Sequence, residues 1–315
     1  MIFSQILVPI VPEQGINSAL HQALQVADKV SSHVTLLSVF KELEEFKEIH
    51  KISGSPLDIL DNAIQFYHST LKEHVHTLRK TYPNIKFATK VRIGIPFVEI
   101  IKEANESNST MVIIDSYRET KVMACERGSN TLNLMRKSEV PIWSTSKEPR
   151  AINNIVVAID LTSPDYQAFN SKLISLAIEF CNGIGAHLTF CHAWKLESEG
   201  FLRDWNGYSD MDIALLSQKM RCERMERLDS LLFPYTDSQE SPIQVKLLEG
   251  NTKEVLPKYV TDNKVDLVIL GSMSRTGISG FVMGNTAESM VNQLDCSVIT
   301  VKPDSFHSPV LHKKD

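Results

Sequence analysis

No stretch of this sequence approaches the ~18 consecutive apolar residues that a membrane-crossing helix needs, so no membrane partner is expected. Cysteine is scarce. The five present (Cys125, Cys181, Cys191, Cys222 and Cys296) are odd in number and show no CxxC spacing. That pattern fits a reduced, cytoplasmic protein without a structural zinc site or a disulfide framework. The opening MIFSQILVPIVPEQ has neither a basic leader nor a small-residue cleavage site, so no signal peptide is expected. Neither sign of charge dominates: 33 Lys+Arg against 38 Asp+Glu give −5. Residues 1–150 hold 18 basic and 17 acidic side chains, and the remainder 15 and 21. Neither part is a cationic surface, which argues against nucleic acid as a partner.

What is there is globular: 43% hydrophobic and 23% charged residues over 315 positions, enough for about two domains. The chain also says the same thing twice. QILVPIV (5–11) is matched by NIVVAID (154–160), and SHVTLLSVF (32–40) by AHLTFCHAW (186–194). KVRIGIPFVEII (90–101) is matched by KLLEGNTKEVLP (246–257), TMVIIDS (110–116) by DLVILGS (266–272), and VPIWST (140–145) by CSVITV (296–301). The offset settles at 156 from Gly94 onward, where only 7 of 52 aligned pairs are identical. The ordered recurrence of strand-like runs, rather than identity, therefore carries the repeat. It divides the chain into 1–147 and 152–302, joined by the polar SKEPRAINN, with a polar tail at 303–315 expected to be loose.

Each half alternates strand and helix. The strands VVAI, LVIL and SVIT are continuously apolar, as in parallel sheets buried on both faces. In TSPD (162–165), Thr162 or Ser163 is a helix N-cap with Pro164 in the first turn. Phe169, Leu173, Leu176 and Phe180 then share one helical face. The longest helices are predicted in 53–82 and 208–232. The expected fold class is α/β: two tandem, open, five-stranded parallel-sheet domains, Rossmann-like, with strand order 3-2-1-4-5.

In such sheets ligands sit beyond the carboxyl ends of the strands, where strand order reverses. In the second half the first strand ends at Asp160. The fourth runs into GSMSRTGISGFVMGNTAE (271–288), whose glycines and small hydroxyls precede a helix predicted at about 285–294. Glycines let a ligand approach the backbone. A helix start offers unpaired N–H groups, and Asn285 or Thr286 can cap it or donate to an anion. The pattern suits an anion, most simply phosphate; a loop that only turns the chain has the same composition.

The order of elements, Asp160, the run GSMSRTGISGFVMGNTAE and LDCSVITVKPD resemble the universal stress protein family in its tandem, two-domain form. The resemblance covers nearly the whole chain and is strongest over 264–304. It implies a stress-response role and, in nucleotide-binding members, a loop of Gly, two residues, Gly, nine residues, Gly, then Ser or Thr that holds phosphates and ribose. Carried over, the first and third glycines are Gly271 and Gly284. Asp160 and the backbone near Ala193 meet adenine. Ser274 stands at the second glycine, and Asn285, followed by Thr286, at the Ser/Thr. In the first half Val11 stands for Asp160, Asp115 for Gly271 and Arg118 for Ser274, and only Gly128-Ser129 keeps the pattern. A carboxylate at Asp115 repels phosphate, so that site is read as lost, with pairing of Arg118 to Asp115 as the bland alternative. The resemblance further implies that 141–145 and 297–301 pair as edge strands of a pseudo-dimer inside one chain.

Other features are weighed down. His68, His74 and His76 do not share a helix face, so no metal is assigned. His33, His187 and His192 are read as structural, and Met283, Met290 and Phe281 as packing. ELEEFKE (42–48) is read as a solvated stretch, and Cys125 and Cys222 are not assigned reactivity. No GxSxG, HExxH, GxxxxGK[ST], HxGH or SGGxDS is present, so an enzyme is not expected and any ATP hydrolysis would be incidental. Three functions stay open: a regulatory module with ATP or AMP in the second half, a carrier of an apolar or amphipathic ligand, and a ligand-free scaffold. The oligomeric state beyond the intrachain pair is also open.

Overall fold

The computed structural model describes residues 3–11, 15–41, 57–116, 127–148, 150–238, 243–272 and 283–312. The first half runs β1 (Gln5–Pro9), α1 (Ser18–Lys29), β2 (His33–Phe40), α2 (Leu57–Thr81), β3 (Lys86–Ile93), α3 (Pro96–Glu106), β4 (Met111–Ile114), α4 (Ser129–Lys137) and β5 (Ile142–Ser144). The second runs β6 (Asn154–Ala158), α5 (Gln167–Ile184), β7 (His187–Trp194), α6 (Glu199–Asn206), α7 (Asp210–Leu232), β8 (Gln244–Glu249), α8 (Thr252–Asp262), β9 (Leu267–Gly271), α9 (Asn285–Gln293) and β10 (Ser297–Val301). The segment 42–48 lies outside the described residues.

Every strand pairing within a half is parallel. The sheet order is β3-β2-β1-β4-β5-β10-β9-β6-β7-β8. Each half keeps the expected order 3-2-1-4-5. The halves do not carry separate sheets, because β5 and β10 pair antiparallel and fuse them into one ten-stranded sheet. The physical reason lies in the edges. A short apolar strand with open backbone donors and acceptors is stabilised by pairing with its repeat partner rather than by facing water. The register sets Trp143 opposite Ile299 and Ser144 opposite Val298.

Alternate strand residues feed two cores. Ile6, Val34, Ile155 and Ile269 face one side, where Leu71 of α2, Phe180 of α5 and Leu228 of α7 cover the sheet. Leu7, Val112, Val156 and Val268 face the other, covered by Ile100, Leu134, Leu256 and Val291. The face predicted for α5 is buried at Leu173, Leu176 and Phe180, with Phe169 packed against it half-buried. Ser163 caps a short 3-10 turn (Pro164–Tyr166) that leads into α5, its Oγ accepting from Asp165 N at 3.2 Å. An aromatic cluster bridges the halves: the rings of Phe3 and Trp143 each meet Phe180 edge-on, at 4.8 and 5.5 Å between centroids.

Arg127 does the same with hydrogen bonds. It is 3% exposed, and its guanidinium donates to Ser144 Oγ at 2.7 Å, Val291 O at 2.7 Å and Cys296 O at 2.9 Å. Arg136 pairs with Glu288 across the same junction. The expectation of a loose tail is corrected over residues 303–312: Val310 and Leu311 pack on the core, and Ser308, fully buried, donates its N–H to Glu139 Oε1 at 2.6 Å.

Two predictions follow from this junction. Arg127→Met leaves buried carbonyls without a donor, and each such group costs about 1–3 kcal/mol. We expect about 3 kcal/mol of lost stability in urea unfolding, and a loss below about 1 kcal/mol would contradict the clamp. Lys302 is 3% exposed, donates to Ser272 O at 2.5 Å, and burial lowers its pKa to about 8. An unfolded lysine titrates near ~10.4, so between these values the unfolded chain binds more protons. The cost of burying the charge is therefore full below about pH 8 and relieved as pH rises towards 10. Relative to Lys302→Met, the parent's thermal midpoint should climb between about pH 7.5 and 9.5; a pH-independent difference would refute this.

Candidate functional site

Strand order reverses in the second half between β6 and β9, which pair directly with Ala158 opposite Leu270. From there α5 leaves to one face of the sheet and α9 to the other, which opens a crevice at the carboxyl edge. Asp160 and Gly271 stand at the ends of these two neighbouring strands. Asp160 is half-buried, and its Oδ1 accepts from Thr162 N at 3.0 Å and Thr162 Oγ1 at 2.6 Å. Its carbonyl accepts from Asn170 Nδ2 at 2.8 Å. The carboxylate is thus fixed in an Asx-type turn at the crevice mouth. Ala193 lies one strand further out, near the end of β7 and paired with Leu248.

α9 begins at the same edge. Gly284, rather than Asn285 or Thr286, is its N-cap, with φ −57° and ψ 137° and its carbonyl accepting from Glu288 N at 2.9 Å. That corrects the capping expectation. The glycine leaves the first-turn N–H groups open to approach, where the helix dipole favours an anion. Asn285 is exposed and Thr286 half-buried. Ser274 lies outside the described residues, as do Arg118, Cys125 and Phe281.

Gly271 has a packing role. A Cβ built on it would come within 2.5 Å of Phe169 Cε1, so on the α5 side the missing side chain makes room for that ring. Two cations also border the crevice. Arg224 of α7 donates to Leu161 O, the residue after Asp160, and Arg227 reaches the same carbonyl at 3.4 Å. Sequence reasoning missed both arginines, since the turn of helix that separates them in α7 carries no sign of which loop it faces. His192, 1% exposed, holds its Nδ1 2.9 Å from Ile159 O, and donating to that carbonyl requires the proton on Nδ1. It supports the strand end from below. Burial pushes the Cys191 and Cys296 thiols up to about 12 each, so both stay protonated at neutral pH.

The matching place in the first half is built differently. Asn17 caps α1, its Oδ1 accepting from Leu20 N at 2.9 Å, and its Nδ2 donates to Asp115 Oδ2 at 2.6 Å. One side chain thus ties the start of α1 to the end of β4 across the reversal point. Val11 is half-buried. Gly128 caps α4 with φ −59° and ψ 150°, close to Gly284, so the helix start is conserved in shape between the repeats while the residues facing it are not.

Fold and site define a tandem α/β protein whose two doubly wound halves pair through their edge strands, each with a crevice at its own strand ends. The profile of the Universal stress protein family matches residues 3–145 and 151–302, and the chain belongs to that family. Universal stress protein E of Escherichia coli (strain K12) is 22% identical over 98% of this chain and 96% of its own length. The Universal stress protein E homolog of Haemophilus influenzae is 22% identical over 96% and 98%. Among solved structures, a putative universal stress protein from Pseudomonas aeruginosa UCBPP-PA14 superposes with a TM-score of 0.68 at 22% identity, covering 95% of this chain and 93% of that one. No helix among the described residues is long and apolar enough to cross a membrane.

The packing role of Gly271 is testable. Gly271→Ala should destabilise the chain by about 1–3 kcal/mol, as overpacking does, and Phe169→Leu in the same chain should recover most of that loss. An unfolding midpoint unmoved by Gly271→Ala would show that the ring does not fill the space.

Proposed function

We propose that the chain is a regulatory binding module of the stress response whose second half takes an adenine nucleotide, ATP or AMP. The observation that carries the reading is the placement of Asp160, Gly271 and the Gly284-capped start of α9 at one carboxyl edge, around the point where strand order reverses. In this reading the phosphates meet the first-turn N–H groups of α9 with Asn285, Thr286 and the loop through Ser274. The adenine lies against Asp160 and the backbone at Ala193. Arg224 and Arg227 add positive potential beside the crevice, which draws an anionic ligand towards it. In this reading the module acts by binding.

The first half does not share the site in this reading. Asn17 and Asp115 link the two elements between which a ligand would enter, and Asp115 presents a carboxylate where phosphate would approach. Membership of the family supports the stress-response role, and mass spectrometry of small molecules released from the purified protein tests the ligand class directly.

A matched pair of substitutions tests the location in the full chain. Gly284→Val and Gly128→Val replace N-caps of nearly identical backbone shape, so both carry a similar folding cost of about 1 kcal/mol. A β-branched side chain at 284 stands where backbone N–H groups must come within ~3 Å of phosphate oxygens. We expect Gly284→Val to weaken ATP binding at least tenfold in calorimetry, with circular dichroism unchanged, and Gly128→Val to leave it intact. Equal effects of the two, or a folded Gly284→Val protein that binds ATP like the parent, would sink the proposed site.

A further inference from the structure

The C-terminal tail carries a second constellation, unrelated to the crevice. Glu139, in the connection between α4 and β5 of the first half, meets His307 and His312 of the tail. One ligand atom from each lies within 4.8 Å of the other two, and His312 Nε2 stands 3.7 Å from Glu139 Oε1. The two imidazole rings face each other edge-on at 5.5 Å between centroids, with an interplanar angle of 80°. Two imidazoles and a carboxylate form a ligand set suited to a divalent transition ion, zinc above all.

The frame around these side chains is fixed. Ser308 is fully buried beside His307, and the turn that follows is closed by Leu311 N and His312 N, both donating to Ser308 O at 3.1 Å. Val310 and Leu311 anchor the turn on the core. Glu139 is itself oriented, because the Ser308 N–H donates to its Oε1 at 2.6 Å. An outer hydrogen bond of that kind holds a ligating carboxylate in place. The histidine side chains are exposed, whereas the backbone between them is held by the buried Ser308 and the hydrogen bonds to its carbonyl. Bound zinc places its ligand atoms ~3.4 Å apart at ~2.0–2.1 Å from the ion. Rotation of exposed imidazoles about their own side-chain bonds covers the remaining gap.

We propose that Glu139, His307 and His312 bind one zinc ion, with water completing the tetrahedron, and that the ion fastens the tail of the second half onto the first. The sequence hid this site because Glu139 is remote from both histidines along the chain. The competing account is an ion pair between His312 and Glu139 with no metal.

The test uses the full-length chain stripped with chelator and titrated with zinc chloride by calorimetry, beside a thermal melt with and without zinc. Three variants are compared: His307→Ala, His312→Ala and Glu139→Gln. The last keeps an oxygen to accept the Ser308 N–H but loses the charge that zinc needs. The parent should take up one equivalent and melt at a higher temperature with zinc. Each variant should bind that equivalent at least tenfold more weakly, while its metal-free melting point stays close to the parent's. No uptake by the parent, or variants that bind zinc as the parent does, would overturn the proposal. The second outcome would place any uptake on other groups, such as the exposed Cys222.

Discussion

The antiparallel pairing of β5 with β10 is the contact on which the rest of the molecule depends. Each strand alone would be a short apolar edge with unpaired backbone groups, a feature that folded proteins cover or blunt. Joined, they turn two half-covered cores into continuous layers. Phe180 of the second half can then meet Phe3 and Trp143 of the first, and Arg127 can reach the carbonyls of Val291 and Cys296. The junction is not symmetric in chemistry. Met283 is the repeat partner of Arg127 and is fully buried, so where the first half has a guanidinium the second has a thioether. Two separate polypeptides of identical sequence could not divide the work in this way; a tandem chain can.

Much of this was legible in the sequence, for a definable reason. Buried parallel strands must be continuously apolar, so VVAI, LVIL and SVIT announced themselves, and the repeat supplied the order of elements. The pairing of 141–145 with 297–301 was anticipated through the family resemblance; the single fused sheet that follows from it was not drawn out. The tail was misread because its polar composition outweighed Val310 and Leu311, two apolar residues with no periodicity to mark them.

The candidate site was less legible, since its chemistry rests on contacts between distant segments. Asp160, Gly271 and Gly284 could be named from motif spacing. That Phe169 fills the space beside Gly271, that Asn17 engages Asp115, and that Arg224 leans on Leu161 could not. Each depends on which way a helix face turns, and several orientations satisfy the same periodicity. Gly271 shows the ambiguity of glycine most clearly: a position explained by ligand approach in the sequence also serves ring packing in the fold.

The junction also explains how one crevice can diverge while the other keeps its form. Strands run parallel within each half and antiparallel across β5–β10, so the carboxyl ends of the two halves point to opposite edges of the common sheet. The helices α1, α2, α5 and α7 nevertheless share one face, as a pseudo-twofold axis perpendicular to the sheet requires. The two crevices are therefore far from each other and cannot share a ligand. A carboxylate at Asp115 and its tie to Asn17 change the electrostatics of the first crevice without touching Asp160, Gly271 or the start of α9. Both halves still carry the glycine-capped helix at the reversal point, because α4 and α9 also build the junction, through Arg136 with Glu288 and through Val291 with Arg127. The helix start is retained by the packing of the halves, and only the residues that face it are free to differ.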